Sequence, residues 1–408
     1  SISWDPDSTR LASVSANGTI LVVNVTSPTT RNTTLCSDTC SNPDHGACGD
    51  GGPGSAYDSC ALGTDCTDCG EREVNGSVLL VLATSQDHSD QINSIEWSPD
   101  GSRIATASDD GTTILYDAAT IAEGSVLAVL GTGSEHSSSQ VTSISWSPDN
   151  ARLASVSADG KVVVSDATSL SQSLCTETCE VPGGLRVYPG LPSNGYCNDG
   201  GPGSQFDHCS IGTDCTDCGE RVVPGCVAPD CVLGVQASSQ DHSDSINSVE
   251  WSPDGSRLAT ASDDGTVIIF DASSIVEGGM LPVLGRGFEH MSRVTSISWA
   301  PDNTRLASVS ANGKVVVFDM TSPTTQNTTL CVDTCTAPDY GACGDGGPGS
   351  EYSVCALGTD CTDCGERVLP GGVLRVLATS QAHSDQINSV EWSPDGSRLA
   401  TASDDGTI

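Results

Sequence analysis

One motif, present in six copies, constrains the fold of this 408-residue chain more than any other feature. Each copy follows the pattern of SVEWSPDGSRLATASDDGT at 248–266. The six tryptophans of the motif are Trp4, Trp97, Trp146, Trp251, Trp299 and Trp392. Self-similarity at this spacing predicts a row of similar supersecondary units, each packed on its neighbours, rather than one irregular core.

Within each copy the residue types predict short strands joined by tight turns. INSVEW at 246–251 and RLATAS at 257–262 are typical of strands, and the Pro and Asp-Gly between them favour a turn. Asp-Gly in the following DDGT is a strong two-residue hairpin signal. VIIFD at 267–271 is almost entirely apolar, as expected of a strand covered on both faces. With the fourth strand that follows, each copy is predicted to form one antiparallel sheet in an all-β chain.

This pattern resembles the WD40 family, whose units are the blades of a β-propeller. The likeness is carried by WSPDGSRLATASDDGTVIIFD at 251–271 and by a histidine in the loop before the first strand, which is His88, His242 or His383. It implies WD40-type four-stranded propeller blades in tandem. The tryptophan of the family's third strand is replaced here, so its buried His–Ser–Asp–Trp hydrogen-bond chain is expected to be incomplete. The replacing residues are Val23, Tyr116, Ser165, Phe270 and Phe318.

The copies alternate and also repeat at a longer period. Odd copies have Ser before the tryptophan and even copies have Glu. Trp4 and Trp299 are 295 residues apart, and residues 1–113 align with 296–408 without a gap. We therefore predict that residues 1–408 are one array of tandem blades, a window of a longer array with a 295-residue period of four blades. Five full blades and a final hairpin are not expected to close into a ring by themselves.

Twenty cysteines cluster in three segments, which we predict to be small disulfide-rich inserts between the third and fourth strands of alternate blades. The inserts span 35–72, 175–231 and 331–367. Even counts in each segment favour local disulfide frameworks in an oxidising compartment. Zinc is the rival explanation for the Cys66–Cys69 spacing, but no second pair completes a site. The predicted disulfide cysteines are Cys36, Cys40, Cys48, Cys60, Cys66, Cys69, Cys175, Cys179, Cys197, Cys209, Cys215, Cys218, Cys226, Cys231, Cys331, Cys335, Cys343, Cys355, Cys361 and Cys364.

Aspartates between the cysteines make calcium a candidate cofactor. Carboxylates and the carbonyls of bent, glycine-rich backbone are the ligands that Ca²⁺ takes. The pattern resembles small calcium-dependent modules of the Notch and LDL-receptor types and cysteine modules of secreted algal and protist proteins, although the cysteine spacing differs. Solvated turn aspartates are the alternative. The candidate ligands are Asp50, Asp65, Asp68, Asp199, Asp214, Asp217, Asp345, Asp360 and Asp363.

Sequons and cysteines together predict an extracellular or cell-surface location. The five N-x-S/T sequons, candidates for N-linked glycans, are Asn17, Asn24, Asn32, Asn75 and Asn327. TSPTTRNTT at 26–34 and TSPTTQNTT at 321–329 resemble linkers that carry O-linked glycans. No apolar run is long enough to span a membrane in this window.

Charge and repetition indicate which functions to expect. The formal net charge of −37 argues against a nucleic-acid partner, because phosphates would be repelled. A catalytic site is normally unique, whereas each polar candidate here recurs, so no enzyme is expected. Repeated units favour association with copies of the same chain, head to tail or laterally. We therefore expect a structural subunit of an extracellular glycosylated fibre or surface coat, built from propeller blades and disulfide modules. The alternative is a secreted β-propeller binding or adhesion module for a protein or glycan partner.

Overall fold

The computed structural model places the chain in five four-stranded antiparallel blades followed by a two-stranded hairpin. It describes residues 1–35, 66–69, 72–136, 138–174, 221–224, 231–321, 328–330, 367–369, 372–381 and 383–408. The one helix of the described part is α1 (Cys66–Cys69). The predicted all-β chain of WD40-type four-stranded blades is confirmed.

The strands follow the motif closely. Blade 1 contains β1 (Ile2–Trp4), β2 (Arg10–Val14), β3 (Ile20–Leu35) and β4 (Arg72–Ser85). Blade 2 contains β5 (Ile92–Trp97), β6 (Arg103–Ser108), β7 (Thr113–Asp117) and, after the short β8 (Ser125–Val126), β9 (Ala128–Gly133). Blade 3 contains β10 (Val141–Trp146), β11 (Arg152–Ser157), β12 (Val162–Leu174) and, after β13 (Arg221–Pro224), β14 (Val232–Ser239).

The second half repeats this order. Blade 4 contains β15 (Ile246–Trp251), β16 (Arg257–Ser262), β17 (Val267–Asp271) and, after β18 (Gly279–Met280), β19 (Val283–Gly287). Blade 5 contains β20 (Val294–Trp299), β21 (Arg305–Ser310) and β22 (Val315–Asp319), then β23 (Thr328–Leu330), β24 (Arg367–Leu369), β25 (Gly372–Val373) and its fourth strand β26 (Arg375–Ser380). The terminal hairpin consists of β27 (Ile387–Trp392) and β28 (Leu399–Ser403).

The apolar core lies between successive blades, with small side chains on one blade facing large ones on the next. Ala105 and Ala107 of blade 2 share a buried cluster with Ile144 and Trp146 of blade 3. The matching cluster between blades 4 and 5 includes Ala259, Ala261, Ile297 and Trp299. This pairing of alanine with a bulky partner lets the two sheets pack closely without voids.

Short parallel pairings tie the outer edges of neighbouring blades together. β8 pairs with β4, β18 with β14, and β25 with β19. Blades 2 and 3 are joined directly, because Val232 of β14 pairs with Thr132 of β9 and the Thr132 N–H donates to the Cys231 carbonyl oxygen at 2.9 Å. The outer edges are thus hydrogen-bonded as well as packed.

The first and third predicted cysteine inserts lie at the tips of antiparallel ribbons, whereas the second, at 175–231, begins at such a tip and extends past it to the start of β14. The last pairs of these ribbons are Leu35 with Arg72, Leu174 with Arg221 and Leu330 with Arg367. The stretch at 26–34, which resembles a linker in sequence, is part of β3 and is paired along most of its length with β4. Pro28 falls where the register shifts between Asn24 and Thr29, a position that needs no ladder N–H.

The Asp-Gly and Asn-Gly turns are fixed by contact with the following blade. Gly160 has φ +81°, and a Cβ placed there would lie 2.7 Å from the carbonyl oxygen of His242 in the loop that leads into blade 4. Glycine is therefore required at this turn both for its backbone conformation and for the close approach of the neighbouring loop.

Candidate functional site: the junction between successive blades

The tryptophan that ends the first strand of a blade is covered by an arginine of the preceding blade. The guanidinium carbon of Arg152 lies 4.5 Å from the ring centroid of Trp251. Such a separation allows a cation–π attraction. The five stacks, with separations from 4.4 to 5.5 Å, are Arg10–Trp97, Arg103–Trp146, Arg152–Trp251, Arg257–Trp299 and Arg305–Trp392.

The same guanidinium groups hydrogen-bond to carbonyl oxygens of the next blade. Arg152 Nη1 donates to the Ala272 carbonyl at 2.6 Å and its Nη2 donates to the Gly255 carbonyl at 3.3 Å. Arg257 Nη1 donates to the Met320 carbonyl at 2.7 Å in the equivalent position one junction later. Each arginine thereby links two blades through stacking and through donors that lysine could not place in the same way.

The tryptophan backbone and indole also bond back to the preceding blade. Trp251 Nε1 donates to the Ser145 carbonyl at 3.0 Å, and the Trp251 N–H donates to Ser145 Oγ at 3.4 Å. Where an even blade precedes, glutamate replaces the serine. The Trp146 N–H donates to Glu96 Oε2 at 2.9 Å, and the Trp299 N–H donates to Glu250 Oε2 at 3.0 Å. The Ser–Glu alternation in the sequence is therefore an alternation of acceptors at the junctions.

These glutamate carboxyls sit in an environment that disfavours their charge. Burial raises the pKa of Glu96 to about 8, although the Trp146 N–H partly offsets this. Burial likewise raises the pKa of Glu250 well above its usual value, with further increases from the nearby charges of Glu391 and Glu96. Charges on Glu391 of the terminal hairpin and on Glu96 thus disfavour a charge on Glu250, and a protonated carboxyl would still accept through its carbonyl oxygen.

The even blades and the terminal hairpin each contain a buried histidine network. His242 Nδ1 donates to Asp264 Oδ2 at 2.9 Å, and its Nε2 lies 2.7 Å from Thr260 Oγ1. The carboxylate can only accept, so Nδ1 carries a proton. Phe270, at the family's tryptophan position, has no polar atom to extend this network. The equivalent trios are His88, Asp110 and Thr106 in blade 2, and His383, Asp405 and Thr401 in the hairpin.

Blades 3 and 5 have serine partners for the histidine in place of this trio. His136 Nε2 lies 2.9 Å from Ser155 Oγ, and His290 lies 2.7 Å from Ser308 Oγ and 2.8 Å from Ser310 Oγ. Burial lowers the pKa of His136 to about 4 and that of His290 to about 3, and a nearby lysine adds to each effect. Both rings are therefore neutral at physiological pH and act as hydrogen-bonded core groups.

A polar cavity of about 300 Å³ lies where blades 4 and 5 meet the terminal hairpin. Its lining residues are Asn247, Asp263, Arg293, Thr295, Gln386 and Asn388. Arg293 donates to Gln386 Oε1, and Asn247 Nδ2 donates to Asp263 Oδ1 at 2.6 Å. Blade 3 has Gln140 at the position of Arg293, so this cavity contains a cationic group that the equivalent place in blade 3 lacks.

Six segments of the chain match the sequence model described as WD domain, G-beta repeat. They are residues 1–24, 80–117, 127–166, 234–271, 284–319 and 374–408, which together cover just over half of the chain. The chain belongs to the WD40 repeat family. A search of curated proteins finds no match. The intervals 25–79, 167–233 and 320–373 between WD40 segments contain the three predicted cysteine-rich inserts.

The WD40 likeness pointed to the histidine residues that bond within blades, but it did not point to the residues that join one blade to the next. The histidines that carry the WD40 likeness, His88, His242 and His383, make hydrogen bonds within their blades or hairpin. The second aspartate of the Asp-Asp-Gly turns has a structural role, because Asp110 and Asp264 accept from those histidines. The arginine–tryptophan stacks and the acceptor role of Glu96 were not predicted. Their signal was present in the sequence, as an arginine at a fixed distance after each tryptophan and as the Ser–Glu alternation before it.

Most cysteines of the WD40 chain's predicted inserts lie outside the described residues. Two in the described part, Cys69 and Cys231, are disulfide-bonded, and Cys231 is buried at the base of β14. Cys66 begins α1. The predicted framework as a whole remains a prediction. Outside the described residues lie Cys36, Cys40, Cys48, Cys60, Cys175, Cys179, Cys197, Cys209, Cys215, Cys218, Cys226, Cys331, Cys335, Cys343, Cys355, Cys361 and Cys364.

The sequons fall on turns and on the β3–β4 ribbon. Asn17 is exposed in a hairpin turn, and Asn24 is partly exposed and accepts from the Thr26 N–H at 2.9 Å. Asn32 and Asn75 are register partners across β3 and β4. Asn327 lies outside the described residues.

The calcium prediction rests almost entirely on residues that the structure does not describe. Asp68 lies in α1 and is partly exposed. The other candidate ligands, Asp50, Asp65, Asp199, Asp214, Asp217, Asp345, Asp360 and Asp363, lie outside the described residues. Within the described ranges, no group of three or more His, Cys, Asp or Glu side chains is placed to hold a metal ion. No helix of those ranges combines the length and apolar content needed to cross a membrane.

Proposed function

We propose that this chain is a non-enzymatic structural scaffold, a subunit of an extracellular glycosylated fibre or surface coat that assembles with copies of itself. The observation that carries the proposal is that one contact set joins every pair of successive blades, from Arg10–Trp97 to Arg305–Trp392. A molecule built from one repeated interface can continue that interface beyond a single chain. Membership of the WD40 repeat family supports a role in protein association.

The polar side chains that could serve chemistry are already engaged inside the blades. His242 and Asp264 bind one another, and His290 binds two serines. Glu96 and Glu250 accept from tryptophan N–H groups at the junctions. Groups held in this way supply stability, and they recur from blade to blade rather than converging on one reactive position. This distribution supports a scaffold rather than an enzyme.

The cysteine-rich segments fit this role as attachments rather than as parts of the blade core. The first begins and ends at a ribbon tip, at Leu35 and Arg72, and the second begins at one, at Leu174. In the proposal they are Notch-like disulfide modules that resist proteolysis, with calcium as a candidate cofactor and N-linked and O-linked glycans shielding the surface. Disulfides suit such modules because about 35 residues cannot bury a sufficient core.

Secretion of the chain from eukaryotic cells tests the proposal. We expect glycosidase treatment to lower its mass, alkylation under denaturing conditions to label no free thiol, and electron microscopy of concentrated protein to reveal filaments or sheets. Discrete particles at every concentration, with unmodified asparagines and free thiols, would contradict it. Melting with and without a chelator tests calcium, because bound Ca²⁺ must raise the melting temperature.

The cavity at Arg293 favours a second candidate function, a binding or adhesion module. Its arginine, amide and hydroxyl groups suit a carboxylate-bearing glycan or an acidic peptide. A glycan array probed with the secreted chain tests this directly. Arg293→Gln reproduces the Gln140 side chain of blade 3 and is the matched variant, and Gln140→Arg is its reciprocal. Binding that survives Arg293→Gln would exclude the cavity as the binding site.

A further inference from the structure

The turn between β2 and β3 of blade 1 holds an asparagine whose amide nitrogen is not used by the fold. Asn17 Oδ1 accepts from Ser15 Oγ at 2.5 Å and from the Thr19 N–H at 3.2 Å. The side chain is exposed, and among the residues that the structure describes none accepts a hydrogen bond from Asn17 Nδ2. The carbonyl oxygen of the side chain therefore closes the turn, and the amide nitrogen is left to solvent.

The other odd blades show that a side-chain oxygen alone sustains this turn. Asp159 of blade 3 has a second oxygen in place of the amide nitrogen, and its Oδ1 accepts from Ser157 Oγ at 2.6 Å and from the Lys161 N–H at 3.3 Å. Asn312 of blade 5 accepts from the equivalent serine and lysine through its own Oδ1. A substituent on Asn17 Nδ2 would thus leave both hydrogen bonds of the turn in place.

Exposure of this turn position is a property of odd blades. Asp159 and Asn312 are both exposed, although blades or the terminal hairpin lie on either side of each. At the same position of the even blades, Asp110 and Asp264 are partly buried and accept from histidine through Oδ2. The turn of an odd blade has room for a bulky group, because its side chain is not enclosed by a histidine network.

Blade 1 is the odd blade in which this turn is also a complete sequon. It reads NGT at 17–19, whereas the same turn of blade 5 reads NGK at 312–314. The backbone of the turn is held by the loop that leads into blade 2, since Gln86 Nε2 donates to the Asn17 carbonyl oxygen at 3.3 Å. A fixed backbone with an exposed amide nitrogen would present an attached glycan in one direction, away from the blade.

We infer that Asn17 is an occupied N-glycosylation site and that its glycan keeps the turn at 15–19 out of contacts between copies. In the transfer, a bond forms between Asn17 Nδ2 and C1 of the first sugar, and the bond from C1 to a lipid-linked diphosphate breaks. The diphosphate leaves with the electron pair, and one proton of Nδ2 passes to a base. The inference rests on the proposed function and names one modified sequon and its effect on assembly, because a bulky, solvated glycan prevents another chain from packing there.

Site mapping of the chain secreted from eukaryotic cells tests the modification. Enzymatic removal of N-linked glycans in ¹⁸O-labelled water converts each modified asparagine to a labelled aspartate, which mass spectrometry locates. We expect the label at Asn17 in most molecules. Thr19→Lys reproduces the turn of blade 5 and should abolish the label there. Lys314→Thr completes the sequon of blade 5 and should add a label at Asn312.

Enzymatic removal under native conditions tests the effect on assembly. It leaves an aspartate at position 17, as in the turn of blade 3, so the melting temperature of the dilute chain should change by less than about 2 °C. The glycan should be removed from filaments or sheets as fast as from the dilute chain. A glycan that is removed from the dilute chain but protected in the assemblies would overturn the inference that this turn stays out of contacts.

The outcomes separate this inference from the proposed function. An unlabelled Asn17 beside other labelled sequons overturns the inference and leaves a glycosylated assembly standing. A secreted chain without any labelled sequon contradicts the proposed function as well. Circular dichroism checks that Thr19→Lys and Lys314→Thr fold. A folded Lys314→Thr variant that gains no label would overturn the argument that the odd-blade turn suits a glycan.

Discussion

Arg152 lies over the indole ring of Trp251, with its guanidinium carbon 4.5 Å from the ring centroid, and donates to the Ala272 carbonyl of the same blade as the tryptophan. The arginine and the tryptophan belong to successive blades, so removing this contact tests how much the junction between blades contributes to the free energy of unfolding. Arg152→Ala removes the stack and both carbonyl bonds and should destabilise the chain by about 2 kcal/mol. Urea unfolding measures this difference.

The same arginine position in the terminal hairpin provides a matched control. Arg398 is exposed, with no further blade packed on it within residues 1–408. Arg398→Ala should therefore change the stability of dilute, monomeric protein by less than about 0.5 kcal/mol. Equal losses for the two variants would mean that the arginine stabilises its own blade rather than the junction.

The histidine network of blade 4 should make the stability of the chain depend on pH in the acid range. Burial alone would raise the pKa of Asp264, but the charge of His242 and the hydrogen bonds from His242 and Thr266 outweigh it and lower the pKa to about 2. A carboxyl with a depressed folded-state pKa stabilises above its unfolded value of 3.8, and this is lost as pH falls from there towards about 2. Asp264→Asn should lower the free energy of unfolding by about 2 kcal/mol at neutral pH and by progressively less as the pH falls.

Asp159 is the matched control for that variant. It occupies the same turn position in blade 3, where its Oδ1 accepts from Ser157 Oγ at 2.6 Å rather than from a histidine. Blade 5 has Asn312 there, and this asparagine accepts from Ser310 in the same way. Asp159→Asn should not reproduce the change in the pH profile of unfolding that is expected of Asp264→Asn. The account of the network is wrong if both variants alter that profile alike.

The half-buried junction glutamates should make stability fall as pH rises. Burial raises the pKa of Glu96 from 4.5 to about 8, so the unfolded chain loses its proton first and is favoured increasingly between those values. Glu96→Gln keeps an acceptor for the Trp146 N–H and carries no charge. Relative to the unaltered chain, the free energy of unfolding of this variant should rise by on the order of 3 kcal/mol between about pH 5 and about pH 8. Glu123→Gln, at an exposed position of blade 2, should show no such gain in denaturant titrations.

Two glycines with nearly the same positive φ allow the cost of backbone strain to be measured separately from the cost of a steric clash. Gly160 has φ +81° and faces the His242 carbonyl, whereas Gly406 has φ +80° and a Cβ placed there would meet nothing within 4 Å. Gly406→Ala should cost about 1 kcal/mol from backbone strain alone. Gly160→Ala should cost at least about 2 kcal/mol, because the neighbouring loop must also move. Similar melting temperatures for the two variants would show that the loop contact is unimportant.

The repeated motif predicted the blades well because each one is set by local signals. Turn residues such as Pro253 and Gly265 fix the hairpins, and the first and third strands begin and end close to where INSVEW and VIIFD predict. The recurring arginine and tryptophan were visible in the sequence, but the Arg152–Trp251 contact itself was not predicted, since the pairing of residues 99 apart depends on how two sheets pack. The ribbon at 26–34 was also missed, because its Thr and Pro content is typical of a linker while its pairing with β4 is a tertiary effect.

Cross-linking between labelled copies tests the central claim, that copies of this chain assemble with one another, most directly. A chemical cross-linker would be added to a mixture of isotopically heavy and light protein, and linked peptides would be identified by mass spectrometry. The proposal predicts links between light and heavy peptides at the concentrations where electron microscopy reveals filaments or sheets. Links confined to single copies at those concentrations would contradict it.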